Sequence, residues 1–570
     1  MASAGMEQRV SQLKVVLVLA CLAVAIRLAQ LQLVQGQRYR DLAEQNRLRL
    51  VPELAPRGLI VDRRGRILAS NQTLFRVSVV PQEVEDLDVL LARVASIVHL
   101  PSDQLLQTFR RERSLAFLPA TIVSRVSKET AIQLEENGWR LPGVLVRPET
   151  VRHYPLGATA AQLLGYLSQP TADEVPLLKE YGVRAKQLIG RSGIEQLLDH
   201  ALQGESGGLM VEVNHRGRQM RIIGRRAPHA GATVVLTLDT QLQSLIEQSF
   251  GTRPGACVVL DPSTGEVLAI ASLPTFTPES FVVSDADAVE AVLNSSLSPL
   301  MNRAAVGRYQ PGSIMKLVTA GAGLEHQIIT PATSIVCPGA MKIGDRVIHC
   351  WNRDGHGPMV LAEALMQSCN VYFMHVARRL GADRLRAAQA EMGFSRRTGW
   401  VMDEQSGSIP QRRLTEGELA MLGIGQGELL VTPLEAAVMA GAFASGGWLV
   451  EPWIVQTVGG RPVNLKPSRR HLSWSAQTLT AIREGMKAVV IDPSGTGHRA
   501  WSPSVSIAGK TGTAQTHIPG QTHGWFVGFC PVDKPRVAMA ILAEHGGSGG
   551  ELPAEVAKTI CEYVSAPGTL

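Results

Sequence analysis

Residues 309–316 read Tyr-Gln-Pro-Gly-Ser-Ile-Met-Lys, and this stretch carries the pattern that decides the fold. Two fragments downstream complete the pattern, Ser368-Cys369-Asn370 and Lys510-Thr511-Gly512-Thr513. A lone S-x-x-K is common by chance, but S-x-x-K, S-x-N and K-T-G in this order form one catalytic set. The set predicts that Ser313 is a nucleophile and that Lys316 activates it.

The residues around Ser313 place this serine at the start of a helix. Pro311 and Gly312 are a turn signal, and the apolar, alanine-rich run after them predicts a buried helix. Lys316 then lies on the same helical face as Ser313. A lysine acts as a base only when its amine is neutral, and burial, the helix N-terminus and a second cation at Lys510 all disfavour the ammonium form. An isolated match would more often be an ordinary helix with an outward lysine.

The second motif supplies two polar side chains. Ser368 and Asn370 are two residues apart, so a locally extended segment would point both side chains the same way. The serine would relay a proton to a leaving amine, and the asparagine would hold Lys316 and a substrate amide.

The third motif follows the alternating residues 505–508, which predicts a strand with Lys510 and Gly512 on one face. Because Gly512 has no side chain, this face can pack close to the helix that begins at Ser313. The backbone N–H groups of Ser313 and Thr513 are then predicted to form an oxyanion hole.

Composition limits the class of protein. The chain has 570 residues, enough for two or more domains, and only 7 cysteines, so it is not a disulfide scaffold. The net charge of +6 is modest, and no run of Lys and Arg with interleaved aromatics suggests nucleic acid binding. A basic balance fits a protein that works beside an anionic membrane or polymer.

An apolar segment at residues 14–34 predicts a transmembrane anchor, preceded by a cytoplasmic tail at residues 1–13. Arg9 and Lys14 precede the apolar part, so the positive-inside rule puts the N-terminus in the cytoplasm and the residues after the anchor outside the cytoplasm. The protein is thus predicted to be anchored in the cell (inner) membrane by a single span. Arg27 would snorkel or face a partner helix. A cleaved signal peptide is the alternative, although no convincing cleavage site is present.

The rest of the chain is predicted to form a pedestal at residues 35–238 and a catalytic domain at residues 239–570. Residues 257–260 and 266–271 flank a turn and predict an apolar hairpin. Three more strands are predicted near the other end, at residues 505–515, 524–529 and 536–542, followed by a helix at 553–564. These five strands predict one antiparallel sheet in an α+β fold, with helices inserted between its halves.

Together these motifs resemble the class B penicillin-binding proteins, and among them the elongation type. The resemblance covers nearly the whole chain and extends to four further segments: Arg57-Gly58 with Asp62-Arg63 and Gly65, Gly193-Ile194-Glu195, Gly423-Ile424-Gly425-Gln426-Gly427, and Glu544-His545-Gly546-Gly547. It implies the penicillin-binding transpeptidase fold on an elongated pedestal of the dimerisation type, with one membrane helix.

The resemblance also implies a reaction. Ser313 would attack the penultimate D-Ala of a peptidoglycan stem peptide, release the terminal D-Ala and pass the acyl group to an amine on a neighbouring strand, with β-lactams as inhibitors. Thr511, Gly512 and Thr513 would help to bind the substrate. The partners implied are a RodA-type SEDS glycosyltransferase and other proteins of the elongation complex. No cofactor is expected for catalysis.

Four other functions use a similar site. One is a division-type (septal) transpeptidase. A D-Ala-D-Ala carboxypeptidase or a β-lactamase would pass the acyl group to water, and the long segment before residue 239 together with the anchor argues against both. A non-enzymatic β-lactam sensor should carry several membrane spans and a cytoplasmic signalling domain, which this sequence lacks.

A second cluster lies between the first two motifs, with the spacing C-x12-C-x5-H-x12-C: Cys337, Cys350, His356 and Cys369. Three thiolates and an imidazole suit a tetrahedral structural zinc site, and some relatives are similar in holding zinc beside the active site. A Cys337–Cys350 disulfide and unliganded core residues are the alternatives. The spare ligands nearby are Asp345, His349 and Asp354.

The sequence places Cys257, Cys530 and Cys561 in apolar strands or a helix. They are therefore predicted to be buried, inert thiols.

Overall fold

The computed structural model describes residues 2–37, 48–113, 119–171, 173–174, 188–213, 219–283, 285–463, 468–516 and 518–569. The chain divides into two compact units. The first comprises residues 1–56, 72–151 and 204–231, and the second comprises residues 57–71, 152–203 and 232–570.

The first unit begins with the predicted membrane helix. A helix runs over Ala2–Ala29 and continues as a π-helical turn over Gln30–Val34. The segment Lys14–Val34 is long and apolar enough to cross a membrane, in agreement with the sequence prediction. Arg27 donates a hydrogen bond to Gln30 on the same helix.

The rest of the first unit combines strands and amphipathic helices around an apolar core. One three-stranded antiparallel sheet contains Leu48–Glu53, Gly207–Val213 and Gln219–Arg226. Elsewhere, strand Ala120–Val126 pairs with residues 75–79, and Val144–His153 also joins this sheet. Helices Leu87–Val98, Ser102–Glu112 and Lys128–Glu136 bury apolar residues such as Leu91, Phe109 and Leu134. Short 3-10 turns cover Pro81–Glu83 and Gly138–Arg140.

The second unit is built on a five-stranded antiparallel sheet. Its strands are β1 (Gly255–Leu260), β2 (Val267–Leu273), β3 (Ala508–Gln515), β4 (Thr522–Cys530) and β5 (Val537–Ala543). They lie in the order β2-β1-β5-β4-β3, so strands from both ends of the domain meet at the centre, as predicted. Strand β3 begins at Ala508 rather than at residue 505, and it lies at an edge of this sheet.

Helices cover both faces of this sheet because its central strands are apolar on both sides. Every residue of β1, β2 and β5 is buried. Helices Thr240–Phe250 and Leu552–Ser565 share one core with the sheet. Helix Pro433–Ala444, which is buried at all of its residues, packs against β1, β4 and β5.

The cysteine prediction is partly wrong. Cys530, at the end of β4, and Cys561, in the C-terminal helix, form a disulfide with a Cα–Cα separation of 6.0 Å. They are distant in sequence but adjacent in the packed core, which periodicity could not reveal. Cys257 remains a buried free thiol, and burial raises its pKa.

A buried ion cluster explains why the units do not follow a single boundary near residue 239. Glu195 is fully buried and accepts hydrogen bonds from the Nε atoms of Arg57 and Arg152, each at 2.7 Å. Burial opposes ionisation of Glu195, but the two guanidinium groups outweigh it and lower the pKa of this carboxyl. The cluster ties residues of the predicted pedestal, including Arg57 and Asp199, into the second unit.

The second unit contains further helices and strands around these elements. Its other helices are Ala161–Leu164, Gly193–Leu197, Asp199–Gln203, Pro278–Val283, Ala286–Leu293, Lys316–Glu325, Leu361–Met366, Asn370–Leu380, Ala382–Glu391, Glu416–Gly423 and Ala476–Ile491, with 3-10 turns at Gly312–Met315 and His498–Ala500. Its other strands are Ile60–Val61, Leu167–Ser168, Ile189–Gly190, Val234–Leu236, Ile335–Cys337, Ala340–Ile343, Arg346–His349, Gly357–Met359, Trp448–Val450, Val455–Val458, Arg461–Pro462 and Arg469–His471.

Candidate active site

Ser313 lies in the first turn of the predicted buried helix. The turn is 3-10 over Gly312–Met315, and α-helix follows over Lys316–Glu325, whose residues 316–323 are all buried. In a 3-10 turn, side chains three residues apart lie one above the other, which puts Ser313 and Lys316 on one face. The turn therefore supports the spacing argument, although the α-helix itself begins only at Lys316.

Backbone contacts fix the position of this turn against β3. Gly312 has φ +55°, and its N–H donates to the carbonyl of Gly425 at 2.8 Å. A Cβ at Gly512 would lie 2.9 Å from the carbonyl oxygen of Pro311 and 3.1 Å from Ile314 Cγ2. The predicted close approach at Gly512 is therefore confirmed, and a larger residue there would push the serine turn away from the strand.

The Lys316 amine is completely buried and contacts the second motif. Its Nζ donates to the Ser368 carbonyl at 2.6 Å, to Asn370 Oδ1 at 2.7 Å and to Ser368 Oγ at 3.2 Å. Burial lowers the pKa of Lys316 to about 8, and the nearby Cys369 and Cys350 partly offset this effect. Roughly a tenth of the amine is therefore neutral at pH 7, and this form can act as a general base.

Lys510 approaches Ser368 from β3. Its Nζ donates to Ser368 Oγ at 2.8 Å and to the Thr511 carbonyl at 2.9 Å. Burial and the charge of Lys316 together lower the pKa of Lys510 well below its ordinary value. Because two neighbouring ammonium groups repel each other, the proximity of the two amines favours a state in which one of them is neutral.

The Ser368–Asn370 segment is not extended, and that part of the prediction is wrong. Ser368 has φ +52°, a left-handed conformation that non-glycine residues rarely adopt. Cys369 is the N-cap of helix Asn370–Leu380, and Asn370 is its first residue. Both predicted side chains still reach Lys316, because the tight turn brings them together. Strained backbone of this kind is frequent at functional sites.

These side chains open onto one large cleft, with a volume of about 1630 Å³. Ser313, Ser368, Asn370, Thr511 and Thr513 all line it. Thr513 belongs to the edge strand β3, and among the described residues no further strand pairs with its outer side, so this side can pair with an extended ligand.

Sequence reasoning missed several residues of this cleft. Gln426 donates from Nε2 to the Thr513 carbonyl at 3.1 Å, and Gly425 supports the serine turn. Their signal was the glycine-rich segment at residues 423–427, to which sequence gave no role. Trp351 and Arg353 also line the cleft, and no local pattern marked them.

The four predicted zinc ligands lie close together in the structure. The ligand atoms of Cys337, Cys350, His356 and Cys369 all lie within 4.8 Å of one another. The three cysteines are free and buried, so the Cys337–Cys350 disulfide is not formed. Cys350 Sγ accepts a hydrogen bond from the Asn370 N–H at 3.3 Å, which joins the cluster to the second motif.

Comparison with known proteins defines the class. The penicillin-binding protein transpeptidase domain family matches residues 255–562, and the penicillin-binding protein dimerisation domain family matches residues 52–236. The chain therefore combines a transpeptidase domain, which carries the three motifs around one cleft, with a segment of the dimerisation type.

Individual relatives narrow the assignment. The chain is 32% identical to peptidoglycan D,D-transpeptidase MrdA of Haemophilus influenzae, over 94% of this chain and 88% of that protein. It is 31% identical to MrdA of Escherichia coli, over 92% and 88%. It is also similar to the structure of penicillin-binding protein 2 in complex with MreC from Helicobacter pylori, with a TM-score of 0.77, 28% identity, and 90% and 99% coverage of the two chains. The chain belongs to the penicillin-binding protein 2 family of class B penicillin-binding proteins.

Proposed function

We propose that this protein is a serine-type peptidoglycan D,D-transpeptidase of cell-wall elongation. The observation that carries the proposal is the position of Ser368 Oγ, which accepts hydrogen bonds from both buried amines, Lys316 and Lys510, at the base of the cleft that Ser313 lines. This arrangement provides a nucleophile, a base with a lowered pKa and a hydroxyl that can carry a proton between them. The MrdA relatives are named peptidoglycan D,D-transpeptidases, which supports the transpeptidase activity.

In the first half of the reaction, the neutral amine of Lys316 accepts the proton of Ser313 as its Oγ attacks the carbonyl carbon of the penultimate D-Ala. The backbone N–H groups of Ser313 and Thr513 stabilise the oxyanion, a contribution of about 10²–10³ in rate for one such donor. The C–N bond to the terminal D-Ala then breaks, and Ser368 delivers the proton to the leaving amine.

In the second half, an amine of a neighbouring stem peptide attacks the ester on Ser313. A C–N bond forms to this amine and the C–O bond to Ser313 breaks, while the proton that the amine loses returns to Ser313 Oγ through Lys316 and Ser368. Thr511 and Thr513 on the edge strand, with Lys510 beneath them, form the proposed site for the terminal carboxylate of the donor. Asn370, which contacts Lys316, also binds an amide of the donor peptide.

Transpeptidation and hydrolysis are separated by product analysis. The protein, supplied with peptidoglycan strands that bear pentapeptides, should release D-Ala and form cross-linked peptides in nearly equal amounts. Release of D-Ala without cross-links, in the presence of acceptor strands, would favour a carboxypeptidase.

The anchor and the relatives support a membrane complex. We propose an extracytoplasmic catalytic domain, a cytoplasmic N-terminus and a RodA-type SEDS polymerase as partner, since the sequence contains no acidic motif of a glycosyltransferase. A structural relative, with 30% identity and a TM-score of 0.75, comes from a peptidoglycan synthase complex that coordinates polymerization and crosslinking. The pedestal would provide the docking surfaces.

We also propose that Cys337, Cys350, His356 and Cys369 hold one zinc ion. Zinc at about 2.3 Å from sulfur and about 2.0 Å from nitrogen separates tetrahedral ligands by roughly 3.5–3.8 Å. Cys350 Sγ and His356 Nδ1 are 3.6 Å apart, which fits this geometry. The bound ion would act as a structural cross-link. Because Cys369 lies between Ser368 and Asn370, the cross-link would hold both side chains in register.

Cys350→Ser should lower both the zinc content and the rate of acylation by penicillin. The serine hydroxyl is a poorer zinc ligand than a thiolate, and the Asn370 N–H would lose its sulfur acceptor. Metal analysis and stopped-flow labelling measure the two effects, with Cys257→Ser, a buried cysteine outside the cluster, as the control. If metal analysis finds no zinc in wild-type protein purified under reducing conditions, the proposal is contradicted.

A further inference from the structure

One wall of the cleft carries an exposed tryptophan whose orientation is fixed. Trp351 is 57% exposed and lines the cleft just after the hairpin formed by Ala340–Ile343 and Arg346–His349. Its Nε1–H donates to the Gln367 carbonyl at 2.8 Å, and its ring meets the His356 ring edge to face at 5.2 Å. A large aromatic ring that is held rigidly but left open to solvent is typical of a binding surface.

The same wall carries positive charges without acidic partners. Arg346 and Arg353 are exposed and line the cleft, and within the described part of the chain neither forms an ion pair. Two exposed acids, Asp345 and Asp354, are their sequence neighbours, yet neither lies within ion-pair distance of a described arginine.

The other arginine of the cleft behaves differently. Arg412 forms ion pairs with Glu418 at 2.6 Å and Glu428 at 2.8 Å. Its charge is therefore neutralised within the protein, whereas those of Arg346 and Arg353 remain available to a carboxylate ligand.

This wall adjoins the residue assigned to the donor amide. The His349 carbonyl accepts a hydrogen bond from Asn370 Nδ2 at 3.5 Å, and Cys350 Sγ accepts one from the Asn370 N–H. Consider a peptide whose reactive end lies on Ser313 and whose amide contacts Asn370. The peptide residues before the reactive end would then contact the segment around Trp351.

We propose that Trp351, Arg346 and Arg353 form a subsite for the acidic part of the donor stem peptide, the carboxylate-bearing residues that precede D-Ala-D-Ala. The proposal rests on the transpeptidase function above and adds a substrate preference to it. The two guanidinium groups bind the carboxylates, and the Trp351 ring packs against the aliphatic parts of the peptide. Penicillin contains no stem peptide and does not use this subsite.

The test compares an acidic pentapeptide ending in D-Ala-D-Ala with the same peptide in which the internal carboxylates are amidated. D-Ala release gives kcat/KM for each peptide, and acylation by penicillin is measured in parallel. Wild-type protein should prefer the acidic peptide by about 10-fold or more, and the double variant Arg346→Ala/Arg353→Ala should lose this preference. Trp351→Ala should lower kcat/KM for both peptides by about 10-fold while penicillin acylation stays within about 2-fold.

The controls are Arg396→Ala and Trp501→Ala, since both residues are exposed and neither lines the cleft. They should behave as wild type. If kcat/KM for both peptides and the rate of penicillin acylation fall equally, or if the zinc content falls, the wall only supports the fold. An unchanged preference for the acidic peptide in the double variant would also overturn the subsite. A wild-type protein that penicillin does not acylate would contradict the proposed function itself.

Discussion

Ser313→Ala is expected to abolish covalent labelling by penicillin while leaving the protein folded. The hydroxyl of Ser313 is the proposed nucleophile. Ser313 lines the cleft and lies one helical turn before Lys316, a buried lysine with a lowered pKa. Without Oγ no ester can form, so the loss should be complete rather than partial. Ser313 is only half-buried, and alanine fits the turn, so stability should hardly change.

Intact-mass spectrometry with and without penicillin measures this loss, and thermal unfolding checks the fold. Ser548→Ala provides a matched control, because Ser548 lines the same cleft but belongs to none of the three motifs. It should be labelled like wild type. A penicillin adduct on Ser313→Ala would show that another residue is the nucleophile.

Lys316→Ala should slow penicillin acylation by about 10²–10⁴-fold, the usual contribution of a general base. The substitution also removes three hydrogen bonds that hold Ser368 and Asn370, so the true loss should fall at the upper end. Lys316→Arg separates the two effects, because arginine keeps donors and charge but does not give up its proton near neutral pH.

Stopped-flow labelling of both variants gives the rates, with Lys487→Ala, a lysine outside the cleft, as the control. Both Lys316 variants should be slow if deprotonation matters. If Lys316→Arg acylates at nearly the wild-type rate, the amine serves only to position Ser368, and a different base must exist.

The pH dependence of acylation follows from the same amine. The neutral form of Lys316 is the reactive one, and its fraction grows as the pH rises through its pKa of about 8. The wild-type rate should therefore increase with pH up to that value and then level off. Lys316→Ala should show no such rise, and a flat wild-type profile would contradict the assignment.

The sequence by itself determined the features that depend on neighbouring residues. The turn at Pro311–Gly312 and the apolar run after it predicted the serine helix, and two continuously apolar runs on either side of the turn at 261–265 predicted the first hairpin. The membrane helix at 14–34 followed from its length and composition. Such patterns are local, because they reflect the periodicity of a single helix or strand.

Only the tertiary structure decided how distant parts of the chain meet. The left-handed Ser368, the burial that lowers the pKa of Lys510 and the pairing of Cys530 with Cys561 depend on packing between elements far apart in sequence. The wall around Trp351 faces the cleft because a carbonyl at Gln367 holds its ring there. Conformational strain, burial and hydrogen-bond partners are properties of the assembled core, so no local periodicity could predict them.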